Sequence, residues 1–339
     1  MLILRDVDAF QPEPARPLIL ALGNFDGIHL GHARILKRVV LEARKKKGRA
    51  AILTFQEHPQ QILNPGSRPP LLTSPDYKLF LLSELGMEVC FLLPFTKKFS
   101  KFEPTVFAEK ILAGKLKVKK ICLGYNAHFG HDRKGDAGLM KKLAEKFGFE
   151  FEEIPPVKAA GDFVSSTRIR KLLEEGDLKK AALCLGRPHS ILAKVVRGEG
   201  RGRALGFPTA NLKLDSDVMP PKGVYPVKVR LMEFKNKTAK DGKSCEFRGQ
   251  AQGPWLKGVL NYGVRPTFKG AAAPTAEVFI LDFDGDLYGK QLEVNFYPKI
   301  RSEKKFSNIQ ALTRQIDRDI LKARQSFKNM KKTFTRCAN

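Results

Sequence analysis

The sequence predicts an α/β protein in two parts: an N-terminal doubly wound parallel sheet over residues 1–186, and a C-terminal antiparallel Greek-key β-barrel with a closing helix over residues 187–339. Three observations carry this reading. A chain of 339 residues is longer than one hydrophobic core usually serves. Its first half alternates strand-sized apolar runs with stretches of helical periodicity. After Gly186, Arg187 and Pro188, a stop signal, the apolar period falls to two.

Strands are expected at Leu18 to Leu22, Ala51 to Phe55, Val89 to Leu93, Ile121 to Gly124 and Phe149 to Ile154. Between them, Ile35 to Ala43 places apolar residues at helical spacing. Pro104 suits the first turn of a helix that continues through Val106, Phe107, Ile111 and Leu112. This βαβ rhythm implies a parallel sheet with its ligand at the carboxyl ends of the strands. A last helix, Leu178 to Leu185, closes the first part.

Beyond it Tyr225, Val227, Val229 and Leu231 alternate with Pro226, Lys228 and Arg230, and Leu292, Val294 and Phe296 alternate likewise. Strands at Glu277 to Leu281 and Gln291 to Phe296 flank Asp284 and Gly285, which read as a hairpin. Ile309, Leu312, Ile316 and Ile320 mark the closing helix. The hydrophilic stretch between Phe234 and Lys257 follows neither period and is expected to be an exposed loop.

The composition, 42% apolar and 28% charged, is that of a folded globular chain. No apolar run approaches the length of a membrane span, and acids follow the N-terminus too soon for a signal peptide. The expected location is the cytoplasm, with no membrane partner. Five scattered cysteines without CxxC spacing support neither a disulfide framework nor a zinc site. The net charge of +26 raises a nucleic-acid partner. For the basic clusters at 45–47, at 117–120 and after Asp319, a solvated basic surface is the favoured reading.

The segment GNFDGIHLGH sets His29 and His32 on one face at the start of a helix, after an apolar strand, with Gly23, Gly27 and Gly31 around them. Glycines let backbone amides approach a phosphate, and the helix start favours an anion. Gly23, Asn24, Phe25 and Gly31 are therefore candidates for phosphate contact, and His29 and His32 for catalytic donors. Nucleotidyl transfer needs such donors, because charge accumulates on the oxygens of the attacked phosphorus while pyrophosphate leaves. By itself HxGH would also fit a zinc half-site; the strand-glycine-helix setting decides.

A second element, VSSTRIRKLLEEG, offers Ser165 or Ser166 as a cap, Thr167 beside them and Arg168 in the first turn, all aimed at one anion. The pair of elements resembles the HxGH nucleotidyltransferases, relatives of the class I aminoacyl-tRNA synthetases. TFQEHP (54–59) and GYNAHFGHDRKG (124–135) each follow a strand. Together the four segments resemble the FMN adenylyltransferase part of the bacterial bifunctional riboflavin kinase/FAD synthetases. Glu57 stands where that family usually has Pro, and Ala127 where it has Phe. His58 and Asn126, taken alone, suit a core or turn role as well as a ligand contact.

In the second part, RGEGRGRALGFPTANL is basic and glycine-rich before it becomes a strand. Gly200, Arg201, Gly206 and Pro208 suit a flap over phosphates. Thr209 and Asn211, two apart, face one side, where their oxygens could hold Mg2+ with ATP. GVYPV, GVLNYGVRPTF and AEVFILDFDGDLYG follow in the order and spacing of the family's riboflavin kinase part, so the resemblance spans nearly all of 15–325.

It implies that riboflavin is phosphorylated by Mg-ATP in the C-terminal part and that the FMN formed is adenylylated by a second ATP in the N-terminal part, giving FAD and pyrophosphate. It places the family's base at Glu277 and flavin contacts at His58, Asn126 and Arg301. Phe279 and Ala193 depart from the common residues at positions expected to be structural. The rivals are an HxGH enzyme for another substrate, which would not need a GFPTAN barrel, and a basic nucleic-acid-binding protein on this scaffold.

Overall fold

The computed structural model describes every residue except 65, 67, 199–201, 203–204, 265–273 and 335–339. The chain forms two compact units, one of residues 1–166 with 234–250, the other of 167–233 with 251–339.

In the first unit six strands lie parallel: β1 (Leu2–Leu4), β2 (Leu18–Leu22), β3 (Arg49–Phe55), β4 (Val89–Leu93), β5 (Val118–Gly124) and β6 (Glu150–Ile154). Their spatial order is β1-β4-β3-β2-β5-β6. The order reverses between β2 and β5, which puts the crevice of a doubly wound sheet beside the segment that follows β2. Every residue of β2 and β4 is buried, as the unbroken apolar runs require of strands covered on both faces. The covering helices are α1 (Leu30–Lys45), α2 (Pro59–Leu63), α3 (Pro75–Glu84), α4 (Lys97–Ser100), α5 (Pro104–Val106) and α6 (Ala137–Phe147). The helix expected from Pro104 begins there and continues as a π-helix over Phe107–Lys115. A two-stranded ribbon, β7 (Lys158–Ala159) and β8 (Asp162–Phe163), follows β6.

The next helices are α7 (Ser166–Glu174) and α8 (Leu178–Leu185), the latter ending on Gly186 in the left-handed conformation that glycine adopts without strain. Six strands then form the barrel: β9 (His189–Val196), β10 (Thr209–Asp215), β11 (Gly223–Thr238), β12 (Ser244–Val264), β13 (Pro274–Ile280) and β14 (Gln291–Phe296). All pairings are antiparallel and the ring closes in the order β9-β10-β13-β12-β11-β14. Strands β11, β12 and β13 run as a meander and β14 returns beside β11, which is a Greek key. The closing helix is α9 (Ile309–Phe334).

Two expectations are corrected. The hairpin across Asp284 and Gly285 does not form, because β13 pairs with β10 and β12 while β14 pairs with β9 and β11. The turn residues are present, but the barrel gives each flanking strand other partners on both edges.

The stretch from Phe234 to Lys257 is not an exposed loop either. It is the distal half of the β11–β12 hairpin, and Ser244, Cys245 and Glu246 pair antiparallel with β1 on the edge of the parallel sheet. Phe247 is 1% exposed and packs on Phe234, which meets Phe80 of α3 edge-on at 6.4 Å. Between Lys235 and Gln250 only Ala239, Cys245 and Phe247 are apolar, too few for a periodicity to register. Phe247→Ala is expected to destabilise the first unit by about 3–5 kcal/mol, the usual cost of emptying a buried Phe site. Heat inactivation of the activity housed there, compared with that of the barrel, would measure it.

A second stability expectation concerns His189 in the barrel, 2% exposed. Burial, helped by the charge of Arg187, pushes its pKa down to about 4. A group depressed in the folded state contributes stability above its unfolded pKa and loses it as pH falls. Roughly 3 kcal/mol should therefore vanish between about pH 6.5 and 4. Melting curves across that range, with His189→Gln giving a flatter profile, would check it.

Candidate active sites

In the first unit His29 is the N-cap of α1, and its Nδ1 accepts the His32 amide at 3.3 Å. An Nδ1 that accepts this bond places the His29 ring proton on Nε2. His32 stacks on it with ring centroids 3.7 Å apart and planes 16° from parallel. Burial, with His29 and Lys78 close by, holds the His32 pKa well below its ordinary value, so the His32 ring is neutral at pH 7. The Nδ1 of His32 is buried and has no hydrogen-bond partner among the described residues.

The loop before α1 is strained: Phe25 and Ile28 have φ of 51° and 38°. Such residues cluster at functional sites. A Cβ on Gly31 would sit 3.1 Å from the His29 ring, and one on Gly23 would sit 3.0 Å from the ring of Phe25. The glycines therefore leave room for the two rings that shape the loop.

Asp26, which the sequence reading did not single out, locks this loop. Its carboxylate is 5% exposed and accepts from the amides of Leu72 and Thr73, at 3.0 and 3.2 Å, and from the Thr73 hydroxyl. The Gly27 amide donates back to Thr73 Oγ1. Ser166 Oγ donates to the Asp26 carbonyl at 2.9 Å, so the serine pair and the histidine segment meet through backbone. Thr167 and Arg168 occupy the first turn of α7, Thr167 exposed and Arg168 half-buried.

Asn24, Asp26, Phe55, His58, Thr73 and Lys78 are among the residues lining a small cavity of about 20 Å³. His58 caps α2, its Nδ1 accepting the Gln60 amide. Asn126 lies exposed in the turn after β5 and is not among the cavity residues.

In the second unit a cavity of about 350 Å³, the size of a small-molecule site, opens between the barrel and α9. Thr209, Asn261, Glu277, Arg301, Glu303 and Asp319 supply polar groups to its wall. Strand register explains the convergence. Asn211 of β10 and Asn261 of β12 both stand opposite Glu277 of β13, so the three form a row across adjacent strands. Ala276, Val278 and Ile280 alternate with Glu277 and are buried, which turns the glutamate to the other face. Thr209, two residues from Asn211, shares that row's face.

Gly202 accepts the amides of Leu205 and Phe207, and a Cβ there would collide with the Phe207 carbonyl and lie 2.8 Å from Thr209 Oγ1. This turn includes Gly206, at φ 82°, and leads to Pro208. Gly200 and Arg201 lie outside the described residues.

Arg301 is bound by a buried carboxylate: its Nε and Nη2 lie 2.9 and 2.8 Å from Asp319 Oδ2, and Gln315 also donates to Asp319. Asp319, Asn261 and Glu303 escaped the sequence reading, since a lone polar residue on a helix or strand carries no motif. Phe279 is more than structural: it lines the cavity and meets Phe207 edge-on at 5.7 Å. Ala193, fully buried in β9, is structural as expected.

The family pattern for FAD synthetase matches residues 11–168 and that for riboflavin kinase matches residues 185–327. The bifunctional riboflavin kinase/FMN adenylyltransferase of Escherichia coli K12 is 33% identical over 327 residues, 96% of this chain and 98% of that protein. The Bacillus subtilis protein of the same name is 34% identical, over 93% of this chain and 94% of its own. A crystal structure described as a macrolide-efflux protein from Streptococcus pneumoniae superposes with a TM-score of 0.79 at 30% identity, covering 95% of this chain and 98% of that one. Among the described residues of this chain no helix is long and apolar enough to cross a membrane.

Proposed function

The chain belongs to the bifunctional riboflavin kinase/FMN adenylyltransferase family, and from that premise we propose how its two reactions are divided and which residues carry them. It phosphorylates riboflavin to FMN and converts FMN to FAD. Riboflavin phosphorylation belongs to residues 187–339 and adenylyl transfer to residues 1–186.

The observation that carries the kinase assignment is the row Asn211, Glu277 and Asn261 above a cavity of about 350 Å³. Glu277 takes the proton of the primary hydroxyl of riboflavin as that oxygen bonds to the γ-phosphorus of ATP and the bond to ADP breaks. Thr209 and Asn211 offer neutral oxygens, which suit a hard cation completed by phosphate oxygens, and would hold Mg2+. Bound there, the ion would neutralise phosphate charge. Gly200, Arg201, Gly206 and Pro208 are assigned to ATP phosphate contact, and Arg301, oriented by Asp319, contacts the flavin.

In the adenylyltransferase His29 and His32 donate to oxygens around the α-phosphorus as an FMN phosphate oxygen attacks it and pyrophosphate leaves. Gly23, Asn24, Phe25 and Gly31 shape the phosphate loop; Ser165, Ser166, Thr167 and Arg168 meet the polyphosphate, and His58 and Asn126 meet the flavin. Site and work are cytoplasmic, and the basic surface is solvated rather than occupied by nucleic acid. Incubating the purified chain with riboflavin, ATP and Mg2+ and resolving products by chromatography should show FMN first and FAD after it. Phosphorylation that stops at FMN would remove the adenylyl assignment.

A further inference from the structure

Two lysines are buried among the described residues, Lys78 and Lys120, at 9% and 8% exposure. Lys120 is matched: its Nζ lies 2.9 Å from Glu42 Oε2 and 2.6 Å from Glu152 Oε2. Lys78 is not. Its ammonium makes two long hydrogen bonds to neutral acceptors, 3.5 Å to Thr54 Oγ1 and 3.3 Å to the Phe55 carbonyl. No carboxylate among the described residues comes within 4.0 Å of it. Asp26 is near enough for its field to act on Lys78, but its oxygens accept from Leu72 and Thr73. One N–H of the ammonium is left uncommitted.

Burying an ammonium without a counter-charge is costly, and burial pushes Lys78 below the ordinary lysine pKa. Nothing in the packing demands a cation here: the neighbours Tyr77, Leu79, Phe80 and Leu82 on α3 are all buried. Lys78 lines the cavity it shares with Asn24, Asp26, His58 and Thr73, and Thr54, one of its acceptors, donates to the Asn24 carbonyl. The uncompensated charge thus faces a space bounded by the loop between β2 and α1. We propose that Lys78 is a phosphate-binding residue of the adenylyl-transfer site, its ammonium completed by a phosphoryl oxygen of FMN or of ATP. The inference rests on the assignment of that reaction to the HxGH unit.

Lys78→Met keeps an apolar stem of similar length and removes the charge. The full-length variant is expected to lose about 10- to 100-fold in kcat/KM for FAD formation, the loss typical of a hydrogen bond to a charged group. Its riboflavin kinase activity should be parental, and its thermal midpoint should not fall, because an unmatched buried charge has gone. Lys78→Arg should recover part of the loss. A rise confined to the KM for FMN identifies the flavin phosphate as the ligand. A rise confined to the KM for ATP, with weaker inhibition by inorganic tripolyphosphate, identifies the nucleotide.

Parental kcat and KM values in Lys78→Met would overturn the proposal, as would a lowered midpoint with activity restored on cooling. His32→Ala, assayed beside it, separates two failures. If His32→Ala is inactive in FAD formation and Lys78→Met is parental, the lysine proposal falls alone. If His32→Ala is also parental, the underlying site assignment falls with it.

Discussion

Glu277→Gln should lower the turnover of riboflavin to FMN by roughly 10²–10⁴-fold, the range for a lost general base. The amide preserves the side-chain shape in the row with Asn211 and Asn261, so riboflavin and ATP should bind as before. A base acts in the transition state, and its loss belongs in kcat rather than in KM. FAD formation from supplied FMN should persist, because no residue of the histidine segment is touched. A variant that phosphorylates riboflavin at near-parental kcat would remove Glu277 from the mechanism and leave Thr209 and Asn211 to position a hydroxyl that loses its proton elsewhere.

His32→Ala should act in the opposite sense, lowering FAD formation from FMN by roughly 10²–10³-fold, as removal of one preorganised donor does. Riboflavin phosphorylation should be unaffected. The stacked partner is part of the reason for expecting a large effect: removing one ring frees the His29 ring that packs on it at 3.7 Å. His29→Ala should add a structural loss, since its Nδ1 caps α1 and a lost cap costs about 1 kcal/mol. Equal loss of both activities in His32→Ala would defeat the assignment of separate sites.

The two folds were legible because their strongest signals are local. The unbroken apolar runs of β2 and β4, the alternation through Tyr225 and Leu231, and the glycine-bounded histidine segment each sit within a few residues. What depends on pairing at a distance was hidden. The Asp284-Gly285 turn carries hairpin residues, yet the barrel's register sends its two flanking strands to different neighbours. Residues 244–246 look like loop because the pattern that makes them a strand belongs to β1. Within the sites the motif residues were found and their supports were not. Asp26 and Asp319 act by holding a loop and a guanidinium, which no spacing in the sequence announces. Lys78 could have been suspected as the lone charge in the apolar stretch from Leu79 to Leu82 and Tyr77.

The strand that completes the edge of β1 is made late. Leu2 pairs with Glu246, and the amino group of Met1 donates to the Phe247 carbonyl at 3.1 Å. After Ser166, the last residue of its first stretch, the nascent first unit waits for about 80 more residues. At about 5–20 residues per second that is a delay of about 4–16 s. Throughout it β1 presents an open row of amides and carbonyls, the surface on which strands of other chains pair. Vectorial synthesis therefore exposes this N-terminus to misassembly until the hairpin emerges, and a ribosome stalled before Glu246 would release a first unit with an unsealed edge.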